Sequence, residues 1–269
     1  MAARRLIAER LAAAGVIWAQ DEAAQLIDAA GGDPARLELL VGRRLGGEPL
    51  AWITGQTVFC DLALRVDPGV YVPRPHTEPL ARRAAELLPA EGIALDPCTG
   101  CGAIAVVMAK ARPQAQVIAG DLDERSVACS RRNDATAVHG DLFGGFPAEL
   151  AGRVDVITAV VPYVPASELP LLHRDTFAFE GRTAYDGGPD GLAVMQRLIR
   201  ESPRWLRPGG TLLVEIGGGQ AGAVTALLGD AGFGDVRTPG PALRALEAKL
   251  SEAARGALRR PRASDRTPG

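Results

Sequence analysis

The chain has 269 residues, enough for one large α/β domain with a small additional one and ample to bury a core. Thirty lysines and arginines stand against 32 acids, a formal charge of -2, so no global basic field exists for nucleic acid or an anionic membrane surface, and neither is expected as a partner. Cys60, Cys98, Cys101 and Cys129 show none of the spacings of an extracellular disulfide framework, which points to a reducing compartment and a cytoplasmic protein.

Near the N-terminus, Arg4-Arg5 precede an apolar run from Leu11 to Ala19 that has the length of a signal-peptide core. Glu9-Arg10 interrupt its approach, and Ile7, Leu11 and Ala14 repeat as one face of an amphipathic helix. No segment reaches the ~20 apolar residues that span a bilayer. Residues 1–48 read as a helical N-terminal domain of three short helices. Asp21 caps the second, Gly31-Gly32 end it, and Asp33-Pro34 supply the cap and first-turn proline of the third. Residues 49–75 read as a β-hairpin linker, with extended pieces at Trp52-Ile53-Thr54, Val58-Phe59, Leu62 to Val66 and Val70-Tyr71-Val72. Residues 76–250 form the main domain and 251–269 a disordered Arg/Pro-rich tail.

Within the main domain, Ala94 to Met108 reads as strand, tight glycine loop and helix start. Gly100 and Gly102 let the backbone turn and approach a ligand, and the free amides of the following helix favour an anionic group. Gln116 to Asp121 is a second buried strand that ends in an acid about 20 residues beyond the loop, where a carboxylate holds a ribose diol. A helix follows with Val127 and Ala128 on its inner face. Further strands are expected at Ala137 to His139, Val154 to Ala159 and Thr211 to Ile216, with a helix from Leu192 to Trp205. Strands alternating with helices predict an α/β fold, a doubly wound Rossmann-like parallel sheet with its ligands at the carboxyl ends of the strands.

Gly100-x-Gly102-x-x-Ala105 alone also satisfies a dinucleotide fingerprint, which keeps an NAD-dependent oxidoreductase or a catalytically silent cofactor-binding protein as alternatives of another class. Four features in order say more: Asp96 to Gly102, Asp121, Asp141-Leu142-Phe143 and Pro162-Tyr163. Together they resemble the S-adenosylmethionine-dependent methyltransferases, specifically the protein-glutamine methyltransferases that act on release factors. The resemblance runs from about residue 5 to 235. It includes Pro73-Arg74-Pro75-x-Thr77-Glu78, Gly187 to Leu192, and Pro208-Gly209-Gly210 leading to Leu213-Val214-Glu215-Ile216-Gly217.

The resemblance implies S-adenosylmethionine as cofactor. It implies that Cys98, Thr99, Gly100, Cys101 and Gly102 wrap its methionine part, that Asp121 sits on the ribose and Leu142 beside the adenine, with Asp96, Leu122, Asp141 and Val160 also in the cofactor-binding set. Cys98 stands where the family usually has glycine. The family's fourth strand ends Asn-Pro-Pro-Tyr, the asparagine and the next carbonyl gripping the glutamine amide, whereas here Val160-Val161-Pro162-Tyr163 occupy those positions. His76 replaces a usual glutamate and Gly181 a proline.

Valine makes no side-chain hydrogen bond, so this reading expects a small-molecule acceptor, an aromatic of the indole type methylated at carbon or nitrogen. Val160, Val161, Pro162 and Tyr163 form its floor, and Phe177, Phe179, Tyr185, Trp18 and Trp52 its walls. Glu180, His76, Glu78 and Tyr163 are the candidate proton acceptors. Peptide chain release factors are the alternative acceptor, and a homodimer is allowed for. No metal site is expected, since Cys98-x-x-Cys101 lies inside the ligand loop with no second pair.

Overall fold

The computed structural model describes residues 2–172, 179–240 and 244–252. Three helices, α1 (Ala2–Ala13), α2 (Ala19–Ala30) and α3 (Pro34–Leu45), pack around Leu11, Ala23, Leu26 and Val41. Asp33 caps α3 by accepting from the amides of Ala35 and Arg36, at 2.9 and 3.2 Å. Gly31 ends α2 at φ 63°, a left-handed position that costs glycine little. Asp21 is not the cap expected of it: α2 starts at Ala19, which puts Asp21 in the first turn, where its charge complements the helix dipole.

Trp52-Ile53-Thr54, expected as a strand, belongs to a short helix, α4 (Leu50–Thr54), between Pro49 and a left-handed Gly55. Tertiary packing decides this: the helix turns Trp52 inward, where its indole N–H donates to the Val70 carbonyl at 3.0 Å. A hairpin of β1 (Gln56–Phe59) and β2 (Leu62–Arg65) follows, but Val70-Tyr71-Val72 pair with no strand.

The main domain then runs α5 (Glu78–Leu87), β3 (Ile93–Pro97), α6 (Ala103–Ala111), β4 (Gln116–Asp121), α7 (Glu124–Arg132), β5 (Ala137–His139) and β6 (Val154–Ala159). It continues through α8 (Ala193–Trp205), β7 (Leu206–Glu215), α9 (Ala221–Asp230), β8 (Phe233–Arg237) and β9 (Ala245–Leu250). The seven strands lie in the order β5-β4-β3-β6-β7-β9-β8. The first five are parallel; β9 is antiparallel to β7, and β8 to β9, so the sheet is mixed rather than wholly parallel.

Successive strand residues point to opposite faces. Ala94, Ala119 and Val156 therefore meet Leu80, Ile104 and Val127 of α5, α6 and α7, whereas Leu95, Ile118 and Ile157 meet Leu198, Ile199, Val224 and Leu228 of α8 and α9. On α7 the inner face is Ser126, Val127, Cys129 and Ser130. Ala128, expected inside, faces solvent, being one helical position away from that stripe. The chain leaves β3 towards β4 on one side and β6 towards β7 on the other, which opens a crevice at the carboxyl ends of β3 and β6. No described helix is long and apolar enough to cross a membrane.

Candidate functional site

β3 delivers Asp96 to the base of the glycine loop with 1% of its surface exposed. One carboxylate oxygen accepts from the Thr99 hydroxyl at 2.6 Å and the other from Thr158 on β6 at 2.8 Å. Burial pushes this carboxyl up to about 6, and the two threonine hydrogen bonds only partly oppose it. Asp96 thus holds the loop from beneath and does not line the crevice.

Above it the backbone passes through left-handed positions at Cys98 (φ 78°), Gly100 (59°) and Gly102 (88°). The amides of Cys98 and Thr99 both donate to the Gly120 carbonyl at 2.9 Å, which ties the loop to β4. Gly102 begins α6, and a Cβ there would stand 2.9 Å from the Cβ of Ser130 on α7, so close packing of the two helices requires glycine at this point. Cys98 adopts a conformation that non-glycine side chains rarely take. Burial drives the Cys98 and Cys101 thiols well above their ordinary 9.0.

β4 brings Asp121 beside this loop. One of its oxygens accepts from the Gly100 amide and the other from the Asp123 amide, both at 2.9 Å, and burial raises its pKa. Asn133 fastens the hairpin to the same loop. Its amide group exchanges hydrogen bonds with the N–H and C=O of Arg65 on β2, at 2.8 and 2.9 Å, and also donates to the Cys101 carbonyl at 2.8 Å.

These residues wall one crevice of about 950 Å³. Cys98, Thr99, Gly100, Cys101, Asp121 and Leu122 line its donor end with Asp141 and Leu142, and Val160 to Tyr163 its other end. Asp141 is ion-paired across the rim to Arg197 of α8 at 2.8 Å. The donor set suits S-adenosylmethionine. Asp121 can accept from a ribose diol, and Ile104, Leu122 and Leu142 offer an apolar bed for a flat base. Each arginine on the described wall is paired to a carboxylate, Arg74 to Glu180, Arg125 to Asp123, Arg182 to Asp186 and Arg197 to Asp141.

The far wall is more polar than its valines suggest. Glu180, with its side chain wholly buried, accepts from the Val72 amide at 2.8 Å with one oxygen and from Arg74 and Tyr185 with the other. Arg74 also lies 4.8 Å from the centre of the Tyr71 ring. Thr77 donates its hydroxyl proton to buried Glu215 at 2.6 Å, and the other Glu215 oxygen sits 3.3 Å from His76 without an aligned hydrogen bond. Burial, reinforced by the Glu215 charge, keeps the Tyr163 phenol protonated well above its usual range.

The crevice therefore gathers most of the expected residues but not all. Tyr185 and Glu180 line it, and Glu180 ties Val72, Arg74 and Tyr185 together as an organiser of the wall. Trp18 is 71% exposed on the helical domain, away from the crevice. Trp52 and Phe179 pack on each other in the core, ring centres 6.2 Å apart. His76 and Glu78 lie outside the lining; Glu78 opens α5, 3.8 Å from Arg82. Phe177 falls outside the described residues. Sequence reasoning did not single out Arg74, Thr77, Tyr71 or Glu215 as individual site residues. The only signal is the presence of Arg74 and Thr77 in the Pro73 to Glu78 segment, of Tyr71 in the extended piece just before it, and of Glu215 at the end of a core strand.

A Rossmann-like sheet with this loop, this strand-end aspartate and this crevice defines an S-adenosylmethionine-dependent methyltransferase, an enzyme that uses that cofactor. No family model matches the chain. It is 38% identical over 202 residues to the release factor glutamine methyltransferase of Geobacter sulfurreducens, spanning 74% of this chain and 71% of that protein. The protein of the same name from Mycobacterium leprae is 37% identical over 231 residues, 77% of this chain and 80% of that one. The chain belongs to the release factor glutamine methyltransferase family. Among solved structures it is similar to a release-factor-specific protein-(glutamine-N5) methyltransferase from Alicyclobacillus acidocaldarius, with 24% identity, a TM-score of 0.41, and coverage of 70% of this chain and 99% of that one.

These relatives overturn the expectation of a small aromatic acceptor, which rested on the Val160-Val161 floor and the aromatic side chains expected to wall it. The missing carboxamide removes one side chain, but the wall around it stays rich in hydroxyl and charged groups, and three of the expected aromatic walls, Trp18, Trp52 and Phe179, lie elsewhere.

Proposed function

We propose that the chain methylates the side-chain amide nitrogen of a glutamine in a peptide chain release factor. The observation that carries this is the 38% identity, over nearly three quarters of the chain, to a protein named for that reaction. The crevice supports it, because it joins a donor end to a wall on which an amide can be held. When bound, S-adenosylmethionine supplies a methyl group on a positively charged sulfur.

An amide nitrogen is a weak nucleophile, since its lone pair is shared with the carbonyl. The protein's part is therefore to align and polarise it and to exclude water. Val160, Val161 and Pro162 give an apolar floor that strengthens nearby hydrogen bonds by keeping water away, and Tyr163 closes one side. Asp121 and the loop it anchors set the position of the donor relative to that floor. In the overall change a nitrogen–carbon bond forms, a sulfur–carbon bond breaks and one amide proton leaves to solvent. A release factor as substrate would place the enzyme in the cytoplasm, with translation.

The test is transfer of a labelled methyl group to purified release factor, followed by peptide mapping. Label on a single glutamine, lost when that glutamine is replaced by alanine, is the expected result. Absence of label, or label on another residue type, would refute the proposal.

A further inference from the structure

An amide about to be methylated carries N–H groups that need acceptors, and few acceptors on the crevice wall are uncommitted. Glu180 already accepts three hydrogen bonds, from Val72, Arg74 and Tyr185. The Tyr185 hydroxyl donates to Glu180 and accepts from Arg74. Thr77 differs. It lines the crevice with only 5% of its surface exposed, at the end of the turn Pro75–Thr77, and its proton is committed to Glu215 at 2.6 Å. A hydroxyl has one proton and two lone pairs, so an oxygen whose proton is fixed on a buried carboxylate faces any remaining partner purely as an acceptor. Glu215 keeps that proton in place: its side chain is 3% exposed, and His76 lies against its other oxygen, at 3.3 Å.

We propose that Thr77 is the acceptor-holding residue of this enzyme, its oxygen accepting a hydrogen bond from the N–H of the substrate amide and so doing the work that the Val160 side chain cannot. The inference rests on the glutamine-methylation reading. The interaction aligns the amide plane and draws electron density towards nitrogen as the new bond forms, so its loss falls on turnover of acceptor and not on donor binding.

The experiment compares the unsubstituted chain with Thr77→Val, which keeps the shape and loses the hydroxyl, and Thr77→Ser, which keeps the hydroxyl. Methyl transfer to release factor is measured alongside calorimetric binding of S-adenosylmethionine. Thr77→Val is expected to lower kcat/KM for release factor by about 10- to 100-fold, the consequence of leaving one polar partner unmatched. Donor affinity should stay within about twofold, and Thr77→Ser should recover most of the activity. Unchanged kcat/KM in Thr77→Val, an equal loss in both variants, or a parallel loss of donor binding would each overturn the proposal. If the unsubstituted chain transfers no methyl to glutamine, the function reading itself fails, and the role of Thr77 falls with it.

Discussion

Asp96→Asn removes a buried charge and keeps the side chain's shape. Raising this carboxyl from 3.8 to about 6 corresponds, at about 1.4 kcal/mol per pH unit, to about 3 kcal/mol. The folded state binds the proton more tightly than the unfolded chain does. The group therefore adds stability as pH falls through about 6, with the full effect reached below about 4, and the ionised form is a cost at neutral pH. Asparagine has no such titration. It must, however, present an N–H where both the Thr99 and Thr158 hydroxyls now donate, so one of them has to turn and accept, at a cost of about 1 kcal/mol. Urea midpoints of both proteins, measured at constant ionic strength from about pH 7 to about pH 4, decide the matter. The native chain should gain up to about 3 kcal/mol relative to Asp96→Asn over that window. A difference that stays flat across it would refute the account of Asp96 as a carboxylate kept charged against its surroundings.

Asp121→Ala should weaken S-adenosylmethionine binding by about 100-fold in calorimetry, since charge-assisted hydrogen bonds contribute about 1.5–3 kcal/mol each; binding within about threefold of the native value would remove Asp121 from the donor site. Gly102→Ala is expected to destabilise the chain by about 2 kcal/mol, because the position is left-handed and the new methyl meets Ser130 at 2.9 Å; an unchanged unfolding midpoint would contradict the packing described. At Glu247, burial pushes the pKa up, but hydrogen bonds from Arg83 and Arg237, at 2.8 and 2.6 Å, outweigh it and hold the carboxyl below its ordinary 4.5. Its contribution is present above that value and is lost as pH falls through the lowered one, the reverse of Asp96. Glu247→Gln should therefore cost about 1–2 kcal/mol at neutral pH, modest because Arg237 is half exposed, and the difference should shrink in acid.

What the chain shows on its own is what short-range chemistry encodes. The strand, loop and helix from Ala94 to Met108, the acid ending β4, the proline and aspartate that start α3 and the left-handed glycines each depend on neighbours a few residues away, so periodicity and cap chemistry reveal them. The helix at Trp52 and the Ala-rich strand β9, read respectively as strand and not at all, were decided by burial against distant parts of the chain. The acceptor wall lies still further from local reach. Thr77 meets Glu215 across 138 residues, and Arg74 meets Glu180 across 106. No local pattern announces such pairs, since each side chain alone reads as an ordinary turn or strand-end residue. Val160 in place of an asparagine reads as a lost grip; only folding, which buries Thr77 and fixes its proton on Glu215, sets this polar group on the same crevice wall.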